Sequence, residues 1–86
     1  MIKLRTANDR TFEIEWIGVA NIDGVLRFSV INAEVSELVS IFTVPENCTT
    51  ITRVFDEDEQ TFTGYTTFRG VQINYDNSII VSLSKI

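Results

Sequence analysis

The densest set of potential metal ligands in this chain is a run of consecutive acidic residues: Asp56, Glu57, Asp58 and Glu59. Carboxylates bind calcium when they alternate along a loop that has glycine at its sixth position and glutamate at its twelfth. Counted from Asp56, the sixth residue is Thr61 and the twelfth is Thr67. The run does not match a calcium loop. We therefore predict that residues 56 to 60 form a solvated hairpin tip without a specific ion.

A second candidate is the pair of carboxylates in "TFEIEW", Glu13 and Glu15. Residues two apart share one face of a strand, and two carboxylates can act as acid and base in a glycoside hydrolase. That chemistry requires one carboxyl group to be desolvated so that its pKa rises. Nothing in the neighbouring sequence indicates burial. We interpret the pair as part of a solvated strand face, and a hydrolase remains only a remote alternative.

The chain has no histidine and a single cysteine, Cys48. Histidine is the commonest general base and metal ligand at neutral pH. Without a histidine, the sequence offers no base that would pair with the Cys48 thiol and activate it as a nucleophile. Cys48 is therefore expected to be a small hydrophobic residue or a surface thiol. The sequence predicts no catalytic residue, no metal site and no cofactor, so we expect a protein that is not an enzyme.

Three aromatic residues could form a binding surface: Trp16, Tyr65 and Tyr75. Aromatic side chains on a β-sheet can stack on bases or sugars, but nucleic-acid binding also needs interleaved basic residues, which are missing here. Packing in the core or at its rim is the favoured interpretation. The alternative is a ligand-binding module with these residues around a shallow pocket.

Length and charge restrict the classes of function. Eighty-six residues form a single domain, residues 1 to 86, because so short a chain cannot support two separate cores. The formal charge is −5 and the basic residues are scattered singly, so we expect no nucleic acid and no anionic membrane as partner. No apolar run has the length of a spanning helix and no signal peptide is recognisable, which predicts a cytoplasmic location in the producing cell.

Most of the chain alternates apolar and polar residues, which predicts β-strands. In the first half the predicted inward residues are Ile2, Leu4, Phe12, Ile14, Trp16, Leu26, Phe28 and Val30. In the second half "TTITRVF", "TFTGYTTF", "VQINY" and "IIVSLSKI" have strand composition. Gly64 and Gly70 do not lead into a helix, so they are expected to mark bulges or close backbone approach.

One segment changes to helical spacing: Val35, Leu38, Val39 and Phe42. A helix would stack these residues on one face, although a strand through Val35, Val39 and Ile41 is the rival interpretation. Asn32 is the expected N-cap, Glu34 is expected in the first turn, and Pro45 should end the helix. The predicted fold is therefore mainly β (α+β), a small antiparallel β-barrel or roll of six to seven strands with one short helix.

The order of these features resembles a known group of proteins. A charged alternating start, "DGVLRFSVIN", "LVSIF", "PEN" before "TTIT", "FTGYTTF" and "IIVSLSK" follow one another along nearly the whole chain. This order is similar to that in the small uncharacterised proteins encoded among the structural genes of tailed phages and prophages of Gram-positive bacteria. The resemblance implies a component of the virion or of its assembly, in the host cytoplasm or in the particle, and it assigns no functional residues.

The sequence thus favours an interaction protein over a catalyst. We expect its partners to be copies of itself, compatible with a homo-oligomer, or other phage structural proteins. A small cellular module that binds a ligand or a protein is the alternative.

Overall fold

The computed structural model describes residues 1–85. Within this range it contains one seven-stranded antiparallel sheet, one α-helix and one 3-10 turn. The strands are β1 (Ile2–Arg5), β2 (Thr11–Val19), β3 (Leu26–Ile31), β4 (Thr50–Phe55), β5 (Asp58–Thr63), β6 (Thr67–Ile73) and β7 (Ile79–Ser84). The helix α1 spans Val35–Phe42 and the 3-10 turn spans Pro45–Cys48. The strand order is β5-β4-β1-β2-β3-β7-β6.

The sheet is rolled upon itself. Strands β5 and β6 lie at opposite edges of the sheet, yet only residues 64–66 separate them along the chain. A link of this length reaches about 14 Å at most, so the two edges must come together where it joins them. Gly64 has a φ of 83°, a left-handed value that glycine adopts without steric cost. Residues 1–85 contain no strand pairing between β5 and β6, so the predicted roll is confirmed and the barrel is not closed.

Two β-bulges interrupt the ladders. In β2 the register shifts between Ile14, which lies opposite Val30, and Trp16, which lies opposite Ser29. In β6 the shift falls between Phe68 and Gly70. Each bulge inserts one extra residue, so two neighbouring side chains share one side of the sheet before the alternation resumes.

The predicted helix is confirmed, with a rotated buried face. Leu38, Ile41 and Phe42 are its buried residues, whereas Val35 and Val39 are half-buried. The helix ends at Phe42, before Pro45, as predicted.

The predicted start of the helix was wrong in two details. The N-cap is Glu34, and it makes no side-chain capping bond, while Glu37 is the acidic residue of the first turn. Asn32 has a φ of 58° and its Nδ2 donates a hydrogen bond to Glu13 Oε2 at 3.0 Å. Asn32 is therefore used to turn the chain out of β3, since asparagine tolerates the left-handed region better than most residues.

The core lies between the inner side of the sheet and α1. The Phe42 ring lies 5.2 Å from the Phe28 ring and 5.8 Å from the Phe12 ring, measured between centroids. The other core residues are Leu4, Ile14, Leu26, Val30, Leu38, Ile41, Cys48, Ile51, Tyr65, Ile79, Val81 and Leu83. Helix α1 thus holds the hydrophobic interior of the roll in place.

The strand boundaries in the second half differ from the prediction. "TFTGYTTF" is not one strand, because β5 ends at Thr63 and the bend at Gly64 precedes β6. Gly70 lies inside β6 at the predicted kind of position, a bulge. The acidic hairpin tip is shorter than predicted: only Asp56 and Glu57 form the turn, and β5 begins at Asp58. The sequence pattern did not predict that β5 begins as early as Asp58, because acidic residues are uncommon in strands.

Candidate functional site: an aromatic surface on the outer side of the sheet

The bulge in β2 turns Trp16 to the outer side of the sheet. Trp16 lies opposite Ser29, and Ser29 points away from the core because its neighbours Phe28 and Val30 point into it. The indole is 45% exposed. The predicted inward position of Trp16 was therefore wrong, and Ile17 takes the inward place opposite Phe28. The extra residue of the bulge, Glu15, accepts a hydrogen bond from Ser29 Oγ at 3.0 Å.

A second aromatic side chain, Tyr75, follows β6 at the start of the β6–β7 turn and is fully exposed. The turn itself is well ordered by hydrogen bonds. Asn74 N donates to Ser78 O at 2.9 Å, and Asp76 Oδ1 accepts from Ser78 Oγ at 2.6 Å and from Ser78 N at 3.0 Å. These hydrogen bonds lower the pKa of Asp76 below its usual value, because they stabilise the carboxylate form. The turn is therefore a fixed base from which Tyr75 projects.

Trp16, Asn74 and Tyr75 line one open depression, which we call the aromatic surface. Ile73 is 62% exposed at the end of the edge strand β6, but it lies opposite the core residue Ile79 and therefore belongs to the inner side of the sheet. Between Trp16 and Tyr75 runs an open groove of about 460 Å³, with Glu15 and Asp76 among its walls. A cluster of large exposed apolar side chains flanked by polar groups is typical of an interaction site.

The three aromatic candidates do not lie together. Trp16 and Tyr75 share the aromatic surface, so the predicted packing of these two residues in the core or at its rim was wrong. Tyr65 is buried in the core next to the bend after β5, and Lys85 Nζ lies 5.1 Å from its ring centroid. The sequence patterns did not single out Asn74, which lines the aromatic surface between the two aromatic residues.

The acidic pair of β2 has structural partners. Glu13 is half-buried and accepts its hydrogen bond from Asn32, whereas Glu15 is exposed and accepts from Ser29. Glu15 is the extra residue of the bulge, and the two carboxylates accept hydrogen bonds from different partners, Ser29 within β3 and Asn32 after it.

Cys48 is fully buried in the core and its Sγ lies 3.5 Å from the carbonyl oxygen of Phe42. Desolvation raises the pKa of the Cys48 thiol to about 11. The thiol therefore behaves as the small hydrophobic residue that the sequence predicted as one of two alternatives.

The acidic tip carries charge that the chain does not neutralise. Glu59 Oε1 lies 3.5 Å from Arg5 Nη2, with both side chains substantially exposed. Within residues 1–85, the carboxylates of Asp56, Glu57 and Asp58 have no ion-pair or hydrogen-bond partner. In the same range no group of three or more metal-ligating side chains is arranged to hold an ion. The tip therefore projects as a patch of free negative charge.

Comparisons with protein families, with curated proteins and with solved structures give no significant match. None of the helical residues in the described range forms a segment long and apolar enough to cross a membrane. The surface chemistry of the chain therefore carries the argument about function.

Proposed function

We propose that this protein is a structural or assembly component of a phage or prophage particle that acts by binding other proteins. The observation that carries the proposal is the aromatic surface. Tryptophan and tyrosine provide much of the binding energy at protein interfaces, because they bury a large area and lose little conformational entropy. Trp16 and Tyr75 both expose apolar surface to water, which is unfavourable in free energy. Contact with a partner would remove this surface from water.

The free edge of β6 supports the same role. Strand β6 pairs with β7 on one side, and its other side has no strand partner in residues 1–85. Exposed edges either need protection or accept a further strand from a partner, which adds main-chain hydrogen bonds to side-chain contacts. Because Ile73 ends this strand and Tyr75 follows it, a strand added along β6 would reach the aromatic surface.

The positions of the other candidate side chains fit binding better than turnover. Glu13 and Glu15 accept hydrogen bonds from the side chains of Asn32 and Ser29, and Cys48 lies in the core. Two carboxylates, those of Glu15 and Asp76, line the groove between Trp16 and Tyr75, and each accepts a hydrogen bond from a serine hydroxyl. A recognition surface accounts for this arrangement.

The test is capture of a particle protein by defined variants. Tagged wild-type protein is produced during particle formation in the source strain, cross-linked and purified, and the captured proteins are identified by mass spectrometry. We expect a capsid, connector or tail protein with the wild type, and loss of that protein with Trp16→Ala and with Tyr75→Ala.

The matched control is Ile22→Ala, which removes an exposed apolar side chain outside the aromatic surface. This variant should capture the same protein as the wild type. Equal capture by all four proteins would refute the aromatic surface as the contact. Absence of any particle protein from the wild-type sample, together with absence of the chain from purified particles, would refute the proposed function.

The second candidate is a small cellular module that binds a ligand in the groove between Trp16 and Tyr75. The groove favours it, since aromatic faces together with carboxylate and amide groups can hold a small polar molecule. Saturable binding of a sugar or nucleoside library member, lost in Trp16→Ala and accompanied by absence from particles, would favour this candidate.

A further inference from the structure

A basic groove lies on the outer side of the sheet, opposite in charge to the rest of this acidic chain. It spans β3, β7 and β6, and its polar lining consists of Asp23, Arg27, Arg69, Ser82, Ser84 and Lys85. Its lining includes three cationic residues and a single acidic residue, Asp23, so the groove has excess positive charge. Because the whole chain has only seven basic residues and a net charge of −5, this concentration is a distinct local feature.

The cations of the groove are only partly neutralised within the chain. Arg27 Nη2 contacts Asp23 Oδ2 at 2.9 Å, and this hydrogen bond lowers the pKa of Asp23. Lys85 lies over the Tyr65 ring. Within residues 1–85, Arg69 has no carboxylate partner. One full cation therefore remains available to an outside group, and Lys85 adds a second that its aromatic neighbour does not neutralise.

The second bulge of the sheet places Arg69 in this groove. Arg69 is the extra residue between Phe68, opposite Leu83, and Gly70, opposite Ser82. Gly70 has a φ of 140° and no side chain, so Arg69 alone occupies the outward position above Ser82. Bulges of this kind redirect a side chain, and here the redirected side chain is the unpaired cation.

The complementary feature of the same chain is the acidic tip, Asp56 to Glu59. It lies at the β4–β5 end of the strand order, whereas the groove lies at the β3–β7–β6 end. The tip is a tight hairpin with exposed carboxylates, and most of its charge has no partner in the chain. The negative charge of the tip is complementary to the positive charge of the groove, and a tight hairpin is narrow enough in shape to suit an open cleft. Every copy of the chain has both the tip and the groove.

We propose that the acidic tip of one copy of this chain binds in the basic groove of a second copy. This contact joins two different surfaces, so repetition produces a ring or an open chain of subunits. The inference deepens the proposed assembly role and rests on it: the tip and groove join like subunits, and the aromatic surface contacts a different protein. Charge complementarity of this type sets the orientation and register of subunits.

The test uses paired charge reversals and measures mass by light scattering across a concentration series at low and high salt. The wild type should associate at low salt and dissociate at high salt, because exposed charges are screened. Arg69→Glu and the double variant Glu57→Lys/Asp58→Lys should each weaken association about tenfold or more. Lys85→Glu is the second groove variant, in case the strand around Arg69 does not tolerate glutamate.

The deciding measurement is restoration. An equimolar mixture of Arg69→Glu with Glu57→Lys/Asp58→Lys should form a heterodimer, since the unaltered acidic tip of the first variant then meets the unaltered basic groove of the second. Matched controls change the same charges elsewhere: Lys3→Glu, and Glu34→Lys/Glu46→Lys, should associate as the wild type does. Circular dichroism of every variant verifies that it is folded.

Four outcomes would overturn the inference. The first three are a wild type that stays monomeric at low salt, association that the charge reversals leave unchanged, and a mixture of the two variants that does not associate. Saturable binding of inorganic phosphate at constant ionic strength, without self-association, would also overturn it and make the groove a small-anion site. None of these outcomes affects capture of a particle protein through Trp16 and Tyr75, so the failure of this inference and that of the proposed function are distinguishable.

Discussion

The inner and outer sides of this sheet are built from the same strands but obey different constraints. On the inner side Phe28, Val30, Val81 and Leu83 are all fully buried, and volume decides which residue fits. On the outer side the distinctive residues follow from backbone geometry, since both bulges add a side chain there. The comparison teaches that a rolled sheet can present additional exposed side chains on one side without disturbing the packing on the other.

The largest expected effect tests the inner side. Leu38→Ala should lower the free energy of unfolding by about 2 to 5 kcal/mol, because it removes a fully buried side chain and leaves a cavity between α1 and the sheet. Val39→Ala on the same helix is the control and should cost much less, as Val39 is only half-buried. Denaturant unfolding monitored by circular dichroism measures both. Equal losses would contradict the rotated helical face.

The second effect tests whether the outer bulge depends on its backbone. Gly70→Ala should lower stability by about 1 to 3 kcal/mol, because alanine is strained at a φ of 140°. Gly18→Ala is the control. Its φ is not in the left-handed region and an added Cβ would meet nothing within 4 Å. Thermal unfolding should therefore show a clear loss for Gly70→Ala only, and a similar change in both variants would rule out a strained bulge.

A smaller effect concerns pH and the turn beneath Tyr75. The folded pKa of Asp76 is lowered, so its stabilising contribution is present above the unfolded pKa and is lost as pH falls through the folded value. Asp76→Asn should therefore show a weaker loss of stability than the wild type between about pH 5 and pH 2. Asn77→Gly is the control: it leaves the Asp76 carboxylate in place, and glycine suits the positive φ at position 77. The dependence of its stability on pH should therefore match that of the wild type. Superimposable profiles for wild type and Asp76→Asn would count against the turn as a source of acid sensitivity.

The smallest expected effect concerns the acidic tip. Asp56→Asn together with Asp58→Asn should leave stability unchanged or slightly raised, since adjacent like charges repel and neither carboxylate has a partner within residues 1–85. Calorimetric titration of the wild type with calcium and magnesium should show no saturable site below the millimolar range. A micromolar site, or a marked loss of stability on substitution, would show that the tip has a structural role.

The main elements were predictable because their signals are local. The strands follow from alternation, the β6–β7 turn from Asp76 and Asn77, and the helix from the spacing of Leu38 and Phe42. In each case residues close in sequence determine the structure, so the pattern is visible without knowledge of the fold.

The candidate site was less predictable because each bulge inserts one residue, which changes the side of the sheet that the following side chains face. "TFEIEW" alternates without interruption through Trp16, so nothing in it indicates that Glu15 is an extra residue. In β6 a signal was present, since glycine inside a strand pattern often marks a bulge, and Gly70 does so. Asn32 was misassigned for another reason: the same residue type suits a helix N-cap and a left-handed turn, and here the turn prevails.

The bend at residues 64–66 also bears on how this chain folds. Pairing β1 with β4, or β3 with β7, brings together residues that are far apart in sequence, and the entropy lost in closing such long loops slows folding. Bringing the two edges of the sheet together carries no such delay, because the chain already tethers them at Gly64. We therefore expect the roll to close as a local step once the hairpins have docked, and a longer tether should slow that step without changing the core.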